Sequence, residues 1–66
     1  MYQPEKLKER RVAQGLTQQE LANALGVSKQ AYSAWERGVK VPASDKVAQL
    51  EKLLSVPKGY FTEIEI

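Results

Sequence analysis

The sequence predicts a single all-α domain covering residues 1–66. Apolar residues recur every three or four positions over most of the chain, and Ser, Thr, Gly and Pro residues suited to helix ends divide it into short segments. None of the 66 residues is cysteine. Neither a disulfide nor a cysteine-bound zinc can therefore support so small a core, which must rest on helix packing.

The first predicted helix begins at Pro4, a residue well suited to a first helical turn, and runs to about Gln14. Gly15 is expected to end it. Its predicted inward-facing residues are Leu7, Arg11 and Val12.

Residues 17–38, TQQELANALGVSKQAYSAWERG, predict two short helices joined by a tight turn. Thr17 and Glu20 have the spacing of a capping box at the start of helix two, which is expected to end at Leu25. Gly26 provides the left-handed backbone of the turn, and Ser28 is a good N-cap for helix three. Helix three is expected to run to Arg37. The residues of helix two expected to face the core are Leu21, Ala22 and Leu25.

A fourth helix is predicted from about Ser44 to Leu54, after a loop that contains Pro42. Its residues at helical spacing are Val47, Leu50, Leu53 and Leu54. Pro57 should close this helix, and a last short turn or helix is expected over 58–62, with Tyr60 and Phe61 packed on the core.

Helix three is predicted to have two chemically different faces. At about 100° per residue, Ala31, Tyr32 and Trp35 share one side, where the aromatic rings can anchor the helix to the core. An arc of roughly 140° on the other side carries small, polar and basic residues, namely Lys29, Gln30, Ser33, Ala34 and Arg37. Such a face suits the DNA major groove, because Gln pairs with adenine, Lys with guanine, Ser with either, and an Ala methyl contacts the thymine methyl. The same residues are also common on any solvated helix surface.

The charge distribution supports nucleic-acid binding without establishing it. Residues 1–41 hold seven Lys and Arg against four Glu (+3), whereas residues 42–66 hold three Lys against four acidic residues (−1). There is no histidine, no apolar run of membrane-spanning length and no signal-peptide pattern. We therefore expect a cytoplasmic protein that is not an enzyme and needs neither metal nor cofactor.

Four motifs together resemble the helix-turn-helix family of phage repressors, Cro proteins and Xre-type bacterial regulators. They are LTQQELA at 16–22, LGVS at 25–28, SAWERG at 33–38 and Pro42, within a resemblance that runs from Leu7 to Phe61. The resemblance implies a compact five-helix lambda-repressor-like fold with helix three in the major groove.

The resemblance also implies roles for individual residues. Those expected to read bases are Lys29, Gln30, Ser33 and Ala34. Those expected to bind phosphates are Thr17, Gln18, Arg37 and Lys40. Arg11 and Glu36 are expected to form a structural ion pair between helices one and three, the alternative being that Arg11 binds a phosphate.

Three features depart from the family pattern. Ala34 is shorter than the long polar residue of some members, which would shift specificity toward DNA shape. Glu51 replaces a residue that is often small and apolar, which indicates a more exposed or differently packed turn. The tail of residues 62–66 alternates apolar and acidic residues, as expected either of a frayed terminus or of a strand that forms a dimer.

The function predicted from these observations is that of a sequence-specific transcriptional regulator, a repressor, encoded by a bacterium or a phage and associated with the nucleoid. Its partner would be double-stranded DNA, bound by a homodimer on an inverted repeat, because one helix reads only a few base pairs. The alternative is an antitoxin or co-regulator that acts mainly through contacts with another protein.

Overall fold

Four α-helices make up most of residues 2–62, the part of the chain that the computed structural model describes. They are α1 (Pro4–Ala13), α2 (Gln18–Leu25), α3 (Lys29–Arg37) and α4 (Ser44–Leu53). Among these residues there is no β-strand, and none of the helices has the length and apolar character needed to cross a bilayer. The expectation of five helices is wrong for the described residues, since only four are present.

Residues 58–62 form turns instead of a fifth helix. The N–H of Tyr60 donates to the Pro57 carbonyl oxygen at 3.1 Å, and the N–H of Thr62 donates to that of Gly59 at 3.1 Å. Both hydrogen bonds span three residues, whereas an α-helix needs a run of bonds that span four. Of the predicted tail 62–66, only Thr62 lies within the described residues.

The core lies where α1, α2 and α3 meet, with α4 and the C-terminal turns on its other side. Its buried residues are Leu7, Leu21, Ala22, Leu25, Tyr32, Trp35, Leu50, Leu54 and Phe61. The inward positions predicted for α2 and the packing of Phe61 are confirmed. The rings of Tyr32 and Trp35 meet edge to face, with their centroids 5.8 Å apart.

Two predicted core residues are exposed. Val12 is 58% and Leu53 43% accessible to solvent. In each helix the residues that face the core are four positions apart. They are Leu7 and Arg11 in α1, and Leu50 in α4 with Leu54 directly after it. A residue next to one of these positions is rotated by about 100° and lies outside this face.

The ends of α2 and α3 follow the predicted cap chemistry. Thr17 Oγ accepts from the N–H of Glu20 at 3.0 Å, and the Glu20 carboxylate accepts from the N–H of Thr17 at 2.8 Å. Ser28 Oγ accepts from the N–H of Ala31 at 3.1 Å and so caps α3. Between them, Gly26 has φ +71°, so the chain reverses within a few residues and α3 packs directly against α2.

The C-terminal ends of α2 and α3 are bound by side chains distant in sequence. Lys46 Nζ donates to the carbonyl oxygen of Leu25, the last residue of α2, at 2.9 Å. The Tyr2 hydroxyl donates to the carbonyl oxygen of Trp35 in the last turn of α3 at 2.7 Å. The Leu25 carbonyl oxygen lies at the end of α2, and that of Trp35 also accepts from the N–H of Gly38 at 3.4 Å. Each side-chain bond joins two parts of the fold at a helix end.

The departure expected at Glu51 has a specific structural reason. Its Oε2 accepts from the backbone N–H of Gly59 at 2.6 Å. The carboxylate therefore holds the turns at 58–62 against α4, a role that a small apolar residue could not perform.

We predict that Ser55→Gly stabilises the domain by about 0.5–1 kcal/mol, because Ser55 has φ +56°, a left-handed conformation that glycine adopts without the Cβ penalty. Urea unfolding followed by Trp35 fluorescence measures the change. The matched control is Gly26→Ala, where a Cβ would meet nothing within 4 Å and only the backbone strain acts. That variant should lose about 1 kcal/mol, and a loss of stability in Ser55→Gly as well would contradict the explanation.

Candidate nucleic-acid interface

Helix α3 presents a polar first turn to solvent. Lys29 and Gln30 are exposed and Ser33 is partly exposed, whereas Tyr32 and Trp35 on the opposite side are buried in the core. Arg37, in the last turn, is also exposed. The arrangement leaves three adjacent hydrogen-bonding side chains on a helix whose position is fixed by two aromatic rings.

Ala34 does not lie on this open face, contrary to the expectation from the helical arc. It is only 8% accessible to solvent. After Gly38 (φ +76°) the helix ends in a local turn, in which the N–H groups of Val39 and Lys40 both donate to the Ala34 carbonyl oxygen, at 3.0 and 3.4 Å. The helical arc alone could not show that the folded domain covers this position.

The predicted phosphate-binding residues lie at two places. Thr17 and Gln18 are at the start of α2, where the first backbone N–H groups and the helix dipole favour an anion. Thr17 Oγ accepts from the backbone, so its own hydrogen remains to be donated. Arg37 and Lys40 are both exposed, at the end of α3 and in the loop after it.

The structure brings Arg11 and Glu36 together as an ion pair between α1 and α3. Arg11 Nε donates to Glu36 Oε2 at 2.6 Å and Arg11 Nη2 donates to Oε1 at 3.2 Å. The two side chains are only 12% and 3% accessible. A third donor, Arg11 Nη1, reaches the Leu16 carbonyl oxygen at 2.8 Å, so the guanidinium also holds the turn before α2.

Gln18 joins the same network, which the sequence had not indicated. Its Nε2 donates to Glu36 Oε1 at 3.0 Å. The Glu36 carboxylate, which belongs to α3, therefore binds one side chain from each of the other two helices, Arg11 from α1 and Gln18 from α2. The spacing of residues 18 and 36 along the sequence does not predict this contact, because it depends on the angle at which α2 and α3 cross.

The network keeps Glu36 ionised. Burial opposes ionisation of this carboxyl group, but the hydrogen bonds from Arg11, the neighbouring Tyr32 hydroxyl group and the hydrogen bond from Gln18 together outweigh burial and hold its pKa below the ordinary value. The hydrogen bond with Glu36 likewise raises the pKa of Arg11. The pair therefore carries opposite charges at neutral pH and contributes no net charge to the surface near α2 and α3.

Tyr32 places its hydroxyl group beside this pair. Burial raises the pKa of Tyr32 above its ordinary value, and the nearby Glu36 carboxylate raises it further. Among residues 2–62 no atom meets this oxygen with normal hydrogen-bond geometry. The hydroxyl therefore stays neutral within the core and close to the carboxylate.

The chain was compared with known protein families, curated proteins and solved structures. A helix-turn-helix family model matches residues 7–61. A curated relative, the "Cryptic phage CTXphi transcriptional repressor RstR" of Vibrio cholerae, is 40% identical over 52 residues, which cover 79% of this chain and 47% of the relative. The chain thus spans about half the length of that relative. No solved structure matches.

We predict that Glu36→Gln lowers the free energy of unfolding by about 3 kcal/mol at pH 7, because Arg11 would be left buried without a counter-charge. The difference should shrink as the pH falls below about 4.5, the ordinary pKa of this carboxyl group. The folded-state pKa is lowered, so the contribution of the charged form is complete above the unfolded-state pKa and is lost as the wild type becomes protonated.

Urea unfolding at pH 7, 4 and 3 measures this difference. Glu9→Gln, on the exposed part of α1, is the matched control and should remain within about 0.5 kcal/mol of the wild type at pH 7. A gap between wild type and Glu36→Gln that is the same at pH 7 and pH 3 would show that the charge of Glu36 does not stabilise the fold.

Proposed function

Because the chain belongs to the helix-turn-helix family of the Xre/Cro type, we propose that it is a DNA-binding transcriptional regulator, and specifically a repressor. The observation that carries the proposal is the position of α3. Tyr32 and Trp35 anchor one side of this helix in the core, and Lys29 and Gln30 extend freely from its first turn on the other side. A rigid helix with such a first turn fits the major groove of double-stranded DNA.

Direct base reading is assigned to Lys29, Gln30 and Ser33. The Gln30 carboxamide matches the adenine edge with two hydrogen bonds, and the Lys29 ammonium group matches the acceptors of guanine. Ala34 is only 8% accessible to solvent, so little of its methyl group is available for a contact with thymine. Ala34 is therefore the weakest of the four predicted base contacts.

Phosphate binding is assigned to two pairs of residues, one at each end of the α2–α3 unit. Thr17 and Gln18 would hold one segment of backbone through the start of α2, and Arg37 and Lys40 would hold another at the end of α3. Contacts of this kind fix the position of α3 on the duplex and supply affinity that does not depend on sequence.

We also propose that the protein binds an inverted repeat as a homodimer. Three base-reading side chains cover only a few base pairs, and a second copy doubles the specific contacts. An apolar groove of about 330 Å³ beside α4 is the surface assigned to the second copy. Its apolar lining residues are Val41, Pro42, Val47 and Ala48, and Val41 is 64% exposed.

Selection of bound sequences from random duplex DNA tests the proposal as a whole. Recovery of an inverted repeat is expected, with half-sites about one helical turn apart. Recovery of single half-sites would retain the regulator and reject the homodimer. If no sequence is enriched while the groove beside α4 captures another protein, the antitoxin or co-regulator function replaces this one.

Gln30→Ala should reduce discrimination between the selected site and random DNA by about 5- to 100-fold, because it removes a bidentate base contact. Arg37→Ala should weaken binding to both DNAs alike and lower the slope of log affinity against log salt by about one. Titration at several salt concentrations measures both effects. Lys52→Ala, exposed on α4, is the control for loss of one positive charge, and equal losses on both DNAs for Gln30→Ala would reject the base-reading role.

Val41→Gln should shift the protein toward the monomer, because it places a polar group in the proposed contact between copies without disturbing the core. Sedimentation equilibrium of the DNA-free protein measures the monomer fraction. The matched control is Val12→Gln, a change at a similarly exposed valine on α1 that should leave association unaltered. Unchanged association of Val41→Gln would exclude the groove as the dimer contact.

A further inference from the structure

The side-chain amide of Gln18 makes a hydrogen bond to one carboxylate oxygen of Glu36. Gln18 Nε2 donates to Glu36 Oε1 at 3.0 Å, and the same carboxylate is fixed by two donors of Arg11. We propose that Glu36 is a positioning residue for DNA binding: it orients the Gln18 amide so that a hydrogen of the nitrogen faces the phosphate backbone. This inference rests on the proposed function, because it takes Gln18 to be a phosphate contact.

The orientation matters because the two ends of a glutamine amide have nearly the same shape and opposite hydrogen-bonding character. An ionised carboxylate only accepts hydrogen bonds, so only the nitrogen of Gln18 can face Glu36. A phosphate oxygen also only accepts, and the amide oxygen would repel it. With the nitrogen held at Glu36, its second hydrogen remains for the phosphate, and the amide cannot turn to offer its oxygen instead.

The ion pair makes this arrangement possible close to DNA. An isolated carboxylate beside the backbone would repel the phosphates, but the charge of Glu36 is offset by Arg11 at 2.6 Å. Arg11 also holds the Leu16 carbonyl oxygen at 2.8 Å, directly before α2 begins. The same guanidinium thus places the start of α2 and the carboxylate that orients its first side chain.

The link also connects the two kinds of DNA contact. Glu36 belongs to α3, the helix that carries the proposed base-reading residues, whereas Gln18 belongs to α2. A phosphate held by Gln18 is therefore positioned relative to α3 through a side-chain bond as well as through the helix crossing. Loss of Glu36 should free the amide without removing Gln18 itself.

The first test observes the amide of Gln18 in the DNA-free protein. In ¹⁵N–¹H correlation spectra, its two side-chain hydrogens should be shifted apart from those of the exposed Gln30, which serves as the internal reference. Glu36→Gln should move them to the Gln30 positions, since a neutral amide no longer selects the nitrogen. A Gln18 pair that already coincides with that of Gln30 in the wild type would overturn the proposal.

The second test is a double-mutant cycle on random duplex DNA at one low salt concentration. Gln18→Ala should weaken binding roughly 3- to 10-fold in the wild type, the effect of one hydrogen bond to a charged group, and less than about twofold in Glu36→Gln. The cycle cancels the general effect of removing a negative charge near DNA. An equal loss in both backgrounds would mean that Glu36 has only a structural role.

The matched control is Gln19→Ala, one residue further along α2. Gln19 Nε2 donates to Asn23 Oδ1 at 2.8 Å and has no bond to Glu36, so its effect should be the same in both backgrounds. Circular dichroism verifies that each variant is folded. If Glu36→Gln does not fold, the variant Arg11→Met with Glu36→Gln, which leaves no buried charge, takes its place.

The outcomes separate this inference from the proposed function. If the wild type binds DNA and Gln18→Ala costs nothing, the regulator stands and the positioning role is rejected. If the wild type binds no duplex, the positioning role is rejected together with the proposed function. The amide spectrum then reports only whether Glu36 holds the Gln18 side chain within the fold.

Discussion

The ion pair between Arg11 and Glu36 is the interaction on which the arrangement of the helices depends. It joins α1 to α3 directly, and through Leu16 and Gln18 it also fixes the start of α2. A buried pair of this kind adds little net stability compared with a hydrophobic contact, but removing one partner costs about 3–5 kcal/mol because the other charge stays buried. For a domain whose total stability is about 5–15 kcal/mol, that is a large part of the whole. The pair is therefore better described as a constraint on geometry than as a source of stability.

Ties of the same kind occur at the ends of the helices and compensate for the small size of the core. Carbonyl oxygens in the last turn of each of two helices are bound by Tyr2 and Lys46. The carbonyl oxygen of Leu54, which follows α4, accepts from Arg10 Nε at 3.0 Å. Without a disulfide, long side chains thus connect segments that the core alone would hold weakly. Each tie gives a backbone carbonyl oxygen at a helix end a side-chain donor, so it strengthens the fold without placing an unpaired polar group inside.

The features that the sequence predicted correctly are those encoded within a few residues. The capping box at Thr17, the N-cap at Ser28 and the left-handed turn at Gly26 all involve bonds over three to five positions. The errors and omissions concern which positions the folded domain buries and which side chains of different helices meet. Helical periodicity could not show that Ala34 would be buried, or that Gln18 would meet Glu36, because both depend on how the chain folds in three dimensions. For the candidate interface, the sequence thus indicated which helix is exposed, and the structure was needed to show how its neighbours constrain it.

The burial of Ala34 changes how affinity and specificity are divided under the proposed function. The backbone N–H of Lys40 donates to the Ala34 carbonyl oxygen at 3.4 Å. A position that could have read a base instead anchors a cation that can bind a phosphate. Direct reading is then confined to the first turns of α3, and further discrimination must come from the shape of the DNA between the contacted phosphates. A regulator built in this way requires its phosphate contacts to be accurately placed, which is the role that the Arg11, Glu36 and Gln18 network can serve.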